Sequence, residues 1–386
     1  MGSFYGNGVF KADAAGEIDL KKAAPIRGTY SGARAMGLFE GLLPCEDFRF
    51  GNYCKCTPPN PFSYTLELRD DAGNALHSLK LVKRWIHPAV VRQDIEVDDI
   101  CGTLFKPPGD GPFPTVIDIS GGGGGLHEHK GATLASEGFC VLSLAFFQYK
   151  TLITDLNELD LDYFKRAIDW LTTLPFTRGE IGIQGVSYGG LLVNMLAVRN
   201  PEIIAVCSIN GSHAPIAKVK DRGQLLPTAE PAKDTAHFIN GLLCTDKVFK
   251  YAKLSEGADI RIETAPEKTA FRFVGSLDDM ATPTVFCSRL NQQRLKDSGH
   301  YVEVDFAPGG HLMDPPFFPA HQIVYAKLFR QSFFNNDCRM QAYGGEPCLH
   351  GASQVRVWAN TVAFFKRFLG DTKPLPDYRQ DVRSHL

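Results

Sequence analysis

The chain is 386 residues long, 44% apolar and 22% charged, the balance of a globular protein with room for two or three domains. Its 41 basic and 43 acidic side chains leave a net charge of -2 with no block of one sign. That excludes the basic stripe of a nucleic-acid binder and the acidic run of a disordered tail.

Phe62 to Arg69 alternates apolar and polar residues with the period of a half-buried strand. A turn at Asp71-Ala72-Gly73-Asn74 leads into a second extended run, Leu76 to Val82, which predicts a hairpin. Val90 to Val97 and Gly102 to Phe105 are further extended segments. Lys106 to Pro114 is the densest Pro/Gly stretch of the chain. Because proline cannot donate to a ladder, it reads as a boundary. The expectation is a β-sandwich over residues 1–106, a linker over 107–114, a catalytic domain over 115–370 and an exposed tail over 371–386.

Past the boundary, strands and helices alternate. Thr115 to Ile119 and Cys140 to Phe146 are buried strands, and Leu161, Phe164, Ile168 and Leu171 recur at helical spacing between Leu156 and Leu174. Ile181 to Ile183 is a strand and Leu191 to Val198 a helix, followed by strands at Ile203 to Ile209 and Phe271 to Val274. A final helix carries Val355, Trp358, Val362, Phe365 and Leu369 on one face and stops at Gly370. This alternation predicts a parallel sheet covered on both faces, with chemistry gathered at the carboxyl ends of its strands.

Gly185-Val186-Ser187-Tyr188-Gly189 is a weak motif in isolation, but here it joins a strand to a helix. That is the setting of a nucleophile elbow. A serine needs an oriented base, and the chain order of this arrangement is serine, acid, histidine. Gly275 to Asp279 follows one strand, and Ala307-Pro308-Gly309-Gly310-His311 follows another, Val302 to Phe306. His311 is the candidate base and Asp279 the candidate acid, with Asp278 left open as the alternative. Ser120 followed by Gly121 to Gly125 offers backbone N–H groups that side chains do not obstruct, and the N–H groups of Tyr188 and Gly122 are the candidate oxyanion donors. A dinucleotide loop fails on spacing, since Leu126 or His127 stands where its last glycine belongs. His127-Glu128-His129 has no carboxylate partner near it in sequence, so no metal is expected.

Together these residues resemble the acyl-CoA thioesterase / bile acid-CoA:amino acid N-acyltransferase family. The resemblance is carried by Gly111-Pro112-Phe113-Pro114, the glycine run to Leu126, Leu161-Asp162-Tyr163-Phe164, the serine motif, and Ile209-Asn210-Gly211-Ser212. The stretches from Gly310 to Pro319 and Gly344-Gly345-Glu346-Pro347 add to it. It implies an α/β-hydrolase domain preceded by a small β-sandwich, with a Ser187-Asp279-His311 triad acting on acyl-CoA thioesters without a cofactor. Thioesterases of the family carry serine where its bile-acid-conjugating members carry cysteine, which favours water as acceptor over glycine or taurine. An N-acyltransferase and a carboxylesterase or dienelactone-type hydrolase are the rival readings. The acid loop is one residue longer than the family spacing. The segment from Phe10 resembles one that the family reaches only after its first strands, so an N-terminally truncated sandwich with an exposed edge is expected.

Ten cysteines, at 45, 54, 56, 101, 140, 207, 244, 287, 338 and 348, show no paired zinc spacing. The N-terminus has no secretory pattern, so a reducing intracellular compartment is expected. The longest apolar run, Phe139 to Phe147, is far short of the ~20 residues that span a bilayer. Ser384-His385-Leu386 is a variant of the peroxisomal SKL address, which would engage an import receptor; the cytosol is the alternative location.

Overall fold

The computed structural model describes residues 3–46, 54, 56–325 and 340–378. Eight strands build the central sheet: β1 (Val91–Val97), β2 (Ile100–Lys106), β3 (Thr115–Ile119), β4 (Cys140–Ala145), β5 (Ile181–Val186), β6 (Ile203–Ile209), β7 (Ala270–Ser276) and β8 (Val302–Ala307). Their spatial order is β1-β2-β4-β3-β5-β6-β7-β8. From β4 onward every neighbour runs parallel, while β1, β2 and β4 pair antiparallel. This is the α/β-hydrolase arrangement, as expected.

β3, β4 and β5 are buried at every position, as strands covered on both faces must be. The period of two splits their side chains between two cores. Ile117 and Ile119 face one core with α2 (Asp162–Thr173) and α3 (Tyr188–Arg199). Val116 faces the other with α1 (His129–Ala135) and α5 (Pro347–Leu369). α4 (Thr284–Asp297) lies between β7 and β8 in the chain.

Two helices differ from expectation at their starts. α2 begins only at Asp162, because Asp155 caps a separate 3-10 turn at Leu156–Glu158. α5 begins eight residues before Val355, at Pro347. Glu346 caps it by accepting the Leu349 N–H, and the proline stands where a missing N–H costs nothing.

The largest correction concerns the boundary. Val91–Val97 and Ile100–Lys106, expected in the N-terminal sandwich, are β1 and β2 of the central sheet. β2 is buried up to Lys106, so the Pro/Gly stretch is the β2–β3 connection rather than a domain linker. Ahead of Val91 the strands form three separate antiparallel pairs: Phe4–Tyr5 with Leu43–Pro44, Gly8–Val9 with Arg27–Gly28, and the hairpin Phe62–Arg69 with Ala75–Lys83. Among the described residues they do not close into a two-sheet sandwich. The hairpin leaves Leu66, Leu68, Leu76, Leu79 and Val82 exposed. The described part of the tail is mostly exposed, as expected, with His87 Nε2 2.9 Å from the Pro376 carbonyl and its ring meeting Tyr378. The cysteines among the described residues are all free. No described helix is long and apolar enough to cross a membrane.

Candidate active site

Ser187 stands between β5 and α3 with φ +60° and ψ -122°, a backbone conformation rarely adopted outside glycine. The turn holds because its neighbours lack side chains. A Cβ at Gly185 would drive into the Gly189 carbonyl. The Ser187 N–H is tied to the Ile209 carbonyl at the end of β6, 2.8 Å away. Strain of this sort persists only where the surroundings over-determine it.

Ser187 Oγ lies 2.7 Å from His311 Nε2, and His311 Nδ1 lies 2.7 Å from Asp279 Oδ2. The side chains of His311 and Asp279 are only 2% and 1% exposed, so water does not screen the pair, whereas Ser187 is half-buried and open on one side. Asp279 is fixed by its other oxygen, which accepts the N–H groups of Ala281 and Thr282, both at 2.8 Å. Asp278 points elsewhere and accepts the Gly345 N–H at 2.8 Å. The His311 N–H donates to the Tyr343 carbonyl at 2.8 Å, and the two rings meet edge to face with centroids 4.7 Å apart.

Of the glycine run, Gly121 is the residue packed on the nucleophile. A Cβ there would lie 3.1 Å from Ser187 Cβ and 3.6 Å from its Oγ. Gly122, the candidate donor, is the next residue along the turn. Tyr188, the other candidate, opens α3, where the helix dipole favours negative charge.

Behind this loop lies a charge cluster that spacing alone could not reveal. His129 has a carboxylate partner after all, 185 residues on in sequence, with its Nε2 2.8 Å from Asp314 Oδ1. The Lys130 ammonium bonds the same oxygen. Burial pushes Asp314 up, but Lys130 first and His129 second outweigh it and hold the carboxyl well below its usual range. A lysine thus supplies the positive charge beside the histidine, and no described group of residues makes a metal site. His127 bonds the Gly124 carbonyl at 3.2 Å, and burial pushes its imidazole down to about 4. His129, Lys130 and Asp314 therefore join the glycine loop to the segment that follows His311.

Two family models match. The one described as BAAT / Acyl-CoA thioester hydrolase C terminal covers residues 159–371, and the one described as Acyl-CoA thioester hydrolase/BAAT N-terminal region covers residues 1–97. Acyl-coenzyme A thioesterase 1 of Homo sapiens is 30% identical over 95% of this chain and 87% of its own length. Acyl-coenzyme A amino acid N-acyltransferase 1 of Mus musculus is 31% identical over 95% of this chain and 88% of its own. Among solved structures, an acylaminoacyl peptidase from Pyrococcus horikoshii aligns with TM-score 0.47 and 16% identity, covering 77% of this chain and 44% of that one. With both models matched in order and these relatives aligned nearly end to end, the chain belongs to the acyl-CoA thioester hydrolase/BAAT family.

Proposed function

We propose that the protein hydrolyses fatty acyl-CoA thioesters to free acid and coenzyme A through an acyl-enzyme on Ser187. The observation that carries this reading is the unbroken relay from Ser187 Oγ through His311 to Asp279, with both links at 2.7 Å. His311 takes the hydroxyl proton as Ser187 attacks the thioester carbonyl, and Asp279 stabilises the imidazolium and its tautomer. The oxyanion is received by the Tyr188 N–H and an amide of the Gly121-Gly122 turn, where the bare backbone lets a carbonyl oxygen approach. Coenzyme A leaves easily, since a thiol ionises near pKa ~8.5, and its sulfur takes the proton from the His311 imidazolium, which returns the ring to its neutral form. His311 then draws a proton from water, and the hydroxide releases the acid.

A second reading, transfer of the acyl group to an amino acid, is favoured by the mouse N-acyltransferase that matches as well as the thioesterases do. One experiment separates them. Fatty acyl-CoA is incubated with and without glycine or taurine while free thiol and products are followed. Hydrolysis gives equal thiol and fatty acid in both, and no amide. An amide product would establish the transferase, and faster cleavage of oxygen esters than thioesters would point to a carboxylesterase.

The tripeptide Ser384-His385-Leu386 lies outside the described residues, and we propose it as a peroxisomal address. A fluorescent protein ending in these three residues should collect in peroxisomes. A diffuse cytosolic signal would refute the assignment.

A further inference from the structure

The residue after β6, Asn210, bonds through its side chain to Ser276, Gly310 and His311 and so connects the loops that carry the base and the acid. It is fully buried and holds φ +51°, left-handed backbone that asparagine tolerates better than most residues. Its N–H donates to the Val274 carbonyl at 2.9 Å. Its carboxamide oxygen accepts the Ser276 N–H at 2.8 Å. Its carboxamide nitrogen donates to Ser276 Oγ at 2.9 Å and to the His311 carbonyl at 2.6 Å, with the Gly310 carbonyl further off at 3.4 Å. Ser276 ends β7, three residues before Asp279, and the carbonyl of the preceding residue, Ile209, holds the Ser187 N–H.

One buried amide, with both donors and its acceptor in use, therefore fixes the main chain of His311 to the strand end that leads to Asp279. No other uncharged side chain of this size supplies two donors and an acceptor. Asparagine at a left-handed position beside a reacting centre is the kind of strained residue that function retains. We propose that Asn210 is a positioning residue that sets the His311 imidazole between Ser187 and Asp279 by gripping the His311 carbonyl. This rests on the hydrolytic reading of the site and names a part of it that acts through the main chain of His311.

The test uses Asn210→Gly in the full chain. Glycine accepts the left-handed backbone, so a role confined to the turn would survive, while the grip on His311 would not. Reaction of Ser187 with a fluorophosphonate and acyl-CoA hydrolysis are both followed. The variant should still unfold cooperatively in urea, at a lower midpoint because the Ser276 N–H and the His311 carbonyl lose their partner, and should lose about 10²-fold in phosphonylation rate and kcat, the scale of a misplacement near 1 Å. KM should change less than threefold, so that the loss falls on kcat. A wild-type rate in the variant would overturn the proposal. If Asn210→Gly does not fold, Asn210→Asp is read the same way, because it keeps the shape but sets an acceptor against the His311 carbonyl. A wild-type protein that the fluorophosphonate does not label would instead sink the hydrolytic reading itself.

Discussion

Replacing Ser187 with Ala is expected to lower kcat on acyl-CoA by on the order of 10⁵-fold, with KM little changed. The substitution removes one oxygen and leaves the rest of the site in place. The backbone at Ser187 stays at its unusual φ because Gly185, Gly189 and the Ile209 carbonyl impose it. His311 keeps its bond to Asp279, and the glycine turn keeps its amides. What disappears is the only hydroxyl bonded to His311 Nε2 among the described residues, so the reaction falls back on water attacking an oriented thioester. Thiol release followed over hours, with mass spectrometry for an acyl-enzyme, measures the loss. A variant that retains a tenth of wild-type turnover, or that still carries the acyl group, would show that the nucleophile lies elsewhere.

The second large effect is on stability in acid. Burial pushes His127, His321 and His350 down to about 4 in the folded protein, against ~6.5 for a solvated imidazole. Between these values the unfolded chain binds more protons than the folded one, so stability is full above about 6.5 and falls as the pH drops toward 4. At pH 5 each histidine costs about 2 kcal/mol. Asp118, which burial pushes up to about 6, works the other way and returns about 1–2 kcal/mol. The net expectation is a loss on the order of 4 kcal/mol between pH 7 and pH 5, read from urea unfolding at the two values. Geometry explains the cost at two of the sites. His350 Nδ1 accepts the Gly310 N–H at 3.0 Å, and His321 Nε2 accepts the Cys54 N–H at 2.7 Å. A proton on either nitrogen would set donor against donor. His350→Gln, whose amide oxygen can still accept from Gly310, should flatten the slope by roughly half. An unfolding midpoint unchanged from pH 7 to pH 5 would contradict the account.

The parts of this molecule that could be read in advance are those written in short stretches of chain. Ser187 is flagged by the strand before it, the helix after it and the glycines between them, and the parallel sheet is flagged by alternation of elements. Two things are decided by distant partners and are not written locally. The choice between Asp278 and Asp279 turns on one residue of loop length, and it depends on the N–H groups of Ala281 and Thr282 on one side and of Gly345 on the other. Strand pairing is the second case. Val91–Val97 and Ile100–Lys106 look extended in any reading, but nothing in their own residues says that the second will pair with Val141 to Ala145 and carry the first into the sheet. α4 escaped notice because Thr284–Asp297 is mostly polar and its buried positions include Thr284, Ser288 and Asn291, which leave no apolar stripe. The pairing of Asp314 with His129 and Lys130 spans about half the chain and has no local signature at all.

The place where β1 and β2 join the central sheet has a consequence for how such a chain can be taken apart. The segment matched by the N-terminal family model, residues 1–97, ends inside that sheet. Exchanging it for a relative's would transplant a rung of the catalytic scaffold together with the outer hairpin, and cutting at Pro107 would bare the flank of β4. The two halves are therefore not interchangeable modules: a graft between family members must carry β1 and β2 with the half that holds Ser187.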